Sequence, residues 1–256
     1  AFGLQGQKCS AASRVLVEEP VYDEMVARLK EMADKLVLGD PTDRNTYNGP
    51  VINKSSYQDF KDFTEEISQA GATFLTGGKV RVDGDYGKGF FCESTFVTNL
   101  PFEHRLWKHE MFLPITTIGK VKNLEEGMAI ANDVNYGLTA GFYGSPEETD
   151  WFFDKIEAGV TYANRPQGAS TGAWPGFQPF GGWKGSGSSG KNAGGHYYLP
   201  LYMHEQVHTS VKVAPAKAAA APKKKVVAAK KVASKKVAAK KAVAKKAVKK
   251  ATKKKK

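Results

Sequence analysis

The 256-residue chain carries 38 Lys and Arg against 26 Asp and Glu, but 18 of its lysines fall in residues 214–256, which leaves residues 1–213 with 20 basic and 26 acidic side chains. The net charge of +12 therefore belongs to one terminal segment and does not signal a nucleic-acid-binding fold. Only two cysteines, with no CxxC or Cys/His spacing, exclude a disulfide framework and predict no metal site; with no apolar run of roughly 18 residues to span a membrane and no visible signal peptide, they place the chain in a reducing cytoplasm.

Residues 13–17 (SRVLV) read as a short buried strand. Pro20 suits the first turn of a helix, on which Val21, Met25, Leu29, Met32 and Leu36 form one apolar face, up to a stop at Gly39. Tyr57, Phe60, Phe63 and Ile67 mark a second amphipathic helix, closed by Gly71. Residues 72–75 form a strand that runs into the turn Gly77-Gly78, and residues 90–97 and 115–121 form further strands. A helix over 124–134, a strand over 138–143, a helix over 146–157 and a strand over 159–163 complete the alternation. The pattern predicts an α/β fold, a mostly parallel sheet flanked by helices.

A long Gly-rich loop follows over 168–195, and loops of that length are usually functional or disordered. Its aromatics Trp174, Phe177 and Phe180 predict packing, hence function. Residues 197–207 (YYLPLYMHEQV) read as a terminal strand that pairs with another chain. Residues 214–256 hold only Ala, Val, Lys, Pro, Ser and Thr, with Lys-Lys pairs at 230, 235, 240 and 245. Five residues advance a helix about 140° past a full turn, so the lysines spread around the axis and leave no apolar face. That segment is expected to be disordered. The chain thus divides into a domain at 1–195, an oligomerisation strand at 196–213 and a tail at 214–256.

Cys9 lies in GQKCSAASRVLV. A lone cysteine is commonly a buried small hydrophobe. Here Gly6, Ser10, Ala11 and Ala12 leave an open approach, and a thiolate can attack a carbonyl carbon and carry an acyl group; both readings stand on these residues alone. Cys92, inside FFCESTFV, reads as an inert strand residue. Glu110 and Phe112 alone read as an exposed acid and a core aromatic.

Together, GQKCSAASR, HEMFLPI and TGAWPGFQPFGGWKGSG, in this order and at these separations, resemble the catalytic half of the NAD(P)-dependent aldehyde dehydrogenases over roughly residues 1–208. The finer pattern is similar to the branch that oxidises 1-pyrroline-5-carboxylate (L-glutamate γ-semialdehyde) in proline degradation. The resemblance implies Cys9 as catalytic nucleophile, its backbone N–H holding the oxyanion. It implies Glu110 as acceptor for the nicotinamide-ribose hydroxyls and Phe112 beside the nicotinamide ring of NAD, or of NADP. Ser10, Gly172 and Ala173 would bind the substrate carboxylate, with Phe180 on its methylene stem. A homo-oligomer is expected of the full-length protein.

The family usually has glycine where Leu113 stands, so a left-handed backbone is expected to strain Leu113. Its dinucleotide-binding domain, general-base glutamate and oxyanion-hole asparagine precede the nucleophile motif, and only eight residues precede Cys9 here. The chain is therefore expected to be N-terminally truncated, with half an active site and no turnover alone. The rival readings are another aldehyde as substrate, and a non-catalytic remnant whose tail at 214–256 binds DNA or another polyanion through its 18 lysines.

Overall fold

The computed structural model describes residues 1–165 and 177–212. Strand β1 (Arg14–Glu18) leads directly into α1 (Glu19–Ala33), with Pro20 in its first turn. Helix α2 (Lys54–Gln69) starts at Asn53, whose side chain accepts from the Ser56 N–H, satisfying one of the four donors that a helix start leaves open. The strands β2 (Thr73–Thr76), β3 (Val80–Arg81), β4 (Phe91–Cys92), β5 (Thr95–Thr98) and β6 (Ile115–Val121) follow. Then come α3 (Leu124–Asn132), β7 (Tyr136–Gly137), β8 (Thr139–Phe142), α4 (Pro146–Lys155), β9 (Val160–Ala163) and β10 (Trp183–Lys184).

The main sheet has the order β1-β6-β5-β2. Strand β1 runs parallel to β6, with Arg14 opposite Thr117 and Glu18 opposite Val121, and β5 is parallel to β6 on its other edge. Strand β2 is antiparallel to β5. A third parallel pair, β8 with β9, stands apart, and β7 pairs antiparallel with β10. The α/β class and the mostly parallel pairing agree with the sequence. Strand β6 is buried at every residue but Lys120, which is why it reads as a continuous run rather than an alternation. Its neighbours supply the core: Phe60, Ile67, Val97, Leu106, Trp107 and Leu113 on one side, and Phe2, Tyr22, Phe96 and Ile118 on the other.

Four expectations need correction. Helix α1 ends at Ala33, not near Gly39, and it buries Tyr22 and Ala33, with Val26 and Leu29 partly buried, against Phe96 and Ile118. Val21, Met25 and Met32 of the expected face are exposed; only Leu29 and Leu36 of that set reach the core. The single strand expected over 90–97 is two strands: β4 pairs with β3, whereas β5 enters the main sheet beyond a break at Glu93 and Ser94. The Gly-rich segment is not without regular structure, because β10 and the Phe180–Ala193 bridge organise its described part, and Phe177 is exposed rather than packed. The strand expected over 197–207 is interrupted by a 3₁₀ turn at Leu199–Tyr202, and residues 203–212 form no ladder among the described residues. Pro200 fixes φ in that turn and has no N–H to give a neighbour.

The chain divides into two units, Ala1–His204 and Glu205–Lys256. Everything above 204 that is described, residues 205–212, is exposed and irregular. Among the described residues no helix is long and apolar enough to cross a membrane.

Candidate active site

The segment before β1 is held at four points. Leu4, Gln5 and Gly6 all adopt left-handed φ, a turn that brings Gly6 onto the backbone of the Glu110 segment. A Cβ on Gly6 would lie 2.2 Å from the Leu113 carbonyl oxygen and 2.7 Å from its carbon. Gln7 reaches the start of α2, accepting from the Ile52 N–H at 2.9 Å and donating to Ser56 Oγ at 3.3 Å. Past Cys9, the buried hydroxyls of Thr116 and Thr117 donate to the carbonyls of Ala12 (3.0 Å) and Ser13 (3.3 Å). Buried threonine hydroxyls must find acceptors, and these find them on the nucleophile segment.

Between those anchors the Ala11 N–H bonds to the Lys8 carbonyl at 3.0 Å, closing a tight turn with Cys9 and Ser10 at its centre. Cys9 is exposed. Ser10 turns inward and is 5% exposed, and its Oγ has no hydrogen-bond partner among the described residues. An orphaned buried hydroxyl costs about 1–3 kcal/mol and is a feature that asks for an explanation.

Residues 110–113 alternate. Met111 and Leu113 enter the core, whereas Glu110 and Phe112 point outward. The phenyl ring of Phe112 is 43% exposed, so the core-aromatic reading fails for it. The left-handed residue of this segment is Phe112, at φ 55°, and not Leu113. The strain expected at Leu113 is thus displaced by one position, onto a side chain that the core does not hold. Backbone strain of this kind costs about 1–3 kcal/mol and persists where the surroundings fix it.

Cys9, Ser10, Glu110 and Phe112 line one broad cleft of about 720 Å³, which extends between the free edges of β1 and β8. Glu110 makes no hydrogen bond or ion pair among the described residues. The structure does not bring Phe180 into the lining of this cleft; its backbone exchanges hydrogen bonds with Ala193 at 2.7 and 3.1 Å. Gly172 and Ala173 lie outside the described residues. The Gly-rich segment presses at Gly181 against the residue before β9, since a Cβ on Gly159 would stand 1.9 Å from the Gly181 carbonyl oxygen. Among the described residues no group of His, Cys, Asp and Glu could hold a metal ion.

Cys92 is buried where Cys9 is exposed. It is 1% exposed, and burial pushes its thiol up to about 12. At pH 8 such a thiol is about one part in 10⁴ thiolate. A water-soluble thiol reagent should therefore modify one cysteine per native chain, Cys9, and two after unfolding. Native modification of both cysteines, or of Cys92 first, would contradict this assignment.

The site thus joins an exposed cysteine on a tight turn to a carboxylate without a partner among the described residues, in one cleft on an α/β scaffold. The chain belongs to the aldehyde dehydrogenase family, whose model matches residues 1–208. It is 38% identical over 204 residues to a 1-pyrroline-5-carboxylate dehydrogenase of Geobacillus sp. strain WCH70, covering 79% of this chain and 38% of the relative. The corresponding protein of Bacillus licheniformis is 39% identical over the same shares. Among solved structures, the 1-pyrroline-5-carboxylate dehydrogenase from Thermus with bound NAD superposes with a TM-score of 0.71 at 35% identity, over 79% of this chain and 37% of that one. Proline utilization A from Bdellovibrio bacteriovorus gives 0.72 at 37% identity, over 80% of this chain and 20% of that one. The chain thus spans well under half the length of the relatives it matches.

The sequence missed the anchors. Thr116 and Thr117 carry no motif of their own, and Gln7, inside GQKCSAASR, has no role that the sequence alone assigns.

Proposed function

We propose that this chain supplies the nucleophile and the nicotinamide-side contacts for oxidation of L-glutamate γ-semialdehyde to L-glutamate, with NAD as the cofactor. The observation that carries the reading is the exposed Cys9 sharing one cleft with Glu110, unpaired among the described residues, and an outward Phe112. A nicotinamide riboside fits that pair: Glu110 is acceptor-only and free to take two hydroxyls, and Phe112 offers an exposed ring. NAD, when bound, supplies the hydride acceptor.

The thiolate of Cys9 adds to the aldehyde carbon and the carbonyl oxygen becomes an oxyanion. The Cys9 backbone N–H makes no hydrogen bond among the described residues, which leaves a donor for that oxygen. Loss of the carbon-bound hydrogen with its electron pair converts the tetrahedral adduct to a thioester. Water then cleaves the carbon–sulfur bond, releasing the carboxylate and regenerating the thiol. The base for that step and most of the dinucleotide contacts are expected from the portion of the relatives that this chain does not cover. A chimera in which residues 1–208 replace the matching segment of the Geobacillus protein is the form in which turnover is to be read, by appearance of reduced nicotinamide.

The substrate assignment is supported by the relatives' names; by the resemblance of the motifs, Ser10 would meet the substrate carboxylate together with Gly172 and Ala173. In the chimera, Ser10→Ala should raise KM for the semialdehyde about tenfold, the loss of one charge-assisted hydrogen bond, and leave KM for an uncharged aldehyde within about twofold. An equal rise for both aldehydes would sink the carboxylate role.

The tail carries a separate reading. Eighteen lysines without an interleaved aromatic bind polyanions by counterion release rather than base stacking. The chain should be retained on duplex DNA at low salt, and removal of residues 214–256 should abolish retention. Equal retention after that deletion would refute the electrostatic role.

A further inference from the structure

We infer that the C-terminus of α3 is a common anchor for the three motif-bearing segments, with Arg14, Lys108 and Lys184 as positioning residues. The inference rests on the proposal that Cys9, Glu110 and the Gly-rich segment form one site.

A helix leaves its last four carbonyls without intrahelical partners, and a following glycine often resolves this. Helix α3 has no such glycine; Asn132 is followed by Asp133 and Val134. The Asp133 N–H takes the Ala129 carbonyl at 3.0 Å and the Val134 N–H reaches the Asn132 carbonyl at 2.8 Å; the carbonyls of residues 130–132 also receive side chains from distant segments. Arg14 donates from Nη1 to Ile130 O and from Nη2 to Ala131 O, each at 3.2 Å. Lys184 Nζ donates to Asn132 O at 2.5 Å and pairs with Glu157. The next residue, Asp133, pairs with Lys108 at 2.6 Å. Four consecutive positions, 130–133, thus receive three cations.

Each cation belongs to a different motif. Arg14 follows Cys9 by five residues, Lys108 precedes Glu110 by two, and Lys184 follows Phe180 by four. The receiving end is itself fixed: the Asn132 side chain donates to Lys155 O and accepts from the Glu157 N–H, both at 2.9 Å, locking α3 to the end of α4. Lys184 also sits at φ 50°, a strained conformation that persists only where its surroundings over-determine it.

The contacts are unequal in weight. The Lys108–Asp133 pair is about half-exposed or more on both sides, and such pairs contribute little alone. The partial negative charge of a helix C-terminus adds to all three, and the Arg14 fork makes two bonds from one pre-organised group. The Asp133 carboxyl is held below the ordinary aspartate range, by Lys108 first and then by Lys184 and Arg14, so all three cations act on one point. Coupling of this kind needs a demonstrated effect at a distance, not mere adjacency.

The test uses the 256-residue chain with Lys184→Met, read by amide hydrogen exchange and by the rate of Cys9 alkylation with iodoacetamide. Amides of residues 8–12 and 108–112 should exchange at least about tenfold faster, and Cys9 alkylation should change at least about threefold, while β5 and β6 stay as before. Lys184→Arg should restore both readouts, and Arg14→Gln should reproduce the loosening at 108–112. A change confined to residues 182–187, no change, or a uniform rise that includes β5 and β6 would each overturn the anchor. Neither readout requires turnover. A catalytically silent chain that shows the coupling sinks only the proposed enzyme, and an active chimera without it sinks only the anchor.

Discussion

Replacing Cys9 with Ala should lower aldehyde oxidation by the chimera at least about 10⁴-fold, because the proposed acyl intermediate forms on its sulfur and a methyl group cannot replace it. The loss should fall on kcat. Glu110 and Phe112 reach the cleft from a different segment, so the affinity for NAD should remain within about threefold. Stability should hardly move, since Cys9 is exposed and exposed substitutions usually stay within about 0.5 kcal/mol. Cys92→Ser gives the opposite pattern. A hydroxyl placed where the side chain is 1% exposed should cost about 1–3 kcal/mol of stability and leave the chemistry of folded molecules intact. If Cys9→Ala retained turnover within tenfold, the nucleophile assignment would be lost.

Gly6→Ala should be the most damaging single methyl group in the nucleophile segment. Two costs add. The backbone at Gly6 has φ 67°, which disfavours any L side chain, and the new Cβ would stand 2.2 Å from the Leu113 carbonyl oxygen. That oxygen has little room to retreat, because Leu113 and Ile115 are both buried and the Ile115 N–H bonds to Leu113 O at 2.7 Å. We expect a loss of about 3 kcal/mol or more, a fall in Tm of roughly 6–12 °C for a domain of this size. Cys9 and Glu110 would also separate, since Gly6 is where their two segments touch. A Tm within 2 °C of the parent would show that the contact is soft and the positioning account wrong.

The parts of this molecule legible in the sequence are those written at short range. Strands β1 and β6, helix α2 and the alternation toward β9 announce themselves by apolar runs or one-sided faces. Helix α1 shows the limit. Both of its faces carry apolar side chains, and periodicity chose Val21, Met25 and Met32 where the fold buries Tyr22, Val26 and Ala33. Only the position of Phe96 and Ile118 on the sheet decides between the two. Two-residue strands such as β3 and β10 show no period at all, and the break between β4 and β5 is set by the partner each strand finds.

The candidate site divides in the same way. Cys9 and Glu110 were named from motifs, and each stands at the cleft. The shift of the left-handed residue from Leu113 to Phe112 could not be read, because it depends on which side chains of 110–113 the core accepts. Phe180 does not line the cleft, and Gly172 and Ala173, which the motif places with it at the substrate, lie outside the described residues. The anchors Thr116, Thr117, Arg14 and Lys184 act on backbone carbonyls far away in sequence, and a carbonyl carries no residue-type signal.

The central claim is that the sulfur of Cys9 becomes acylated during turnover. Acid quenching of a single turnover of the chimera with NAD and the semialdehyde, followed by mass spectrometry of its peptides, reads this directly. A transient γ-glutamyl mass on the peptide that contains Cys9, absent without NAD, is the predicted result. Product formation with that peptide unmodified at every quench time, or with the acyl group on Cys92, would contradict it.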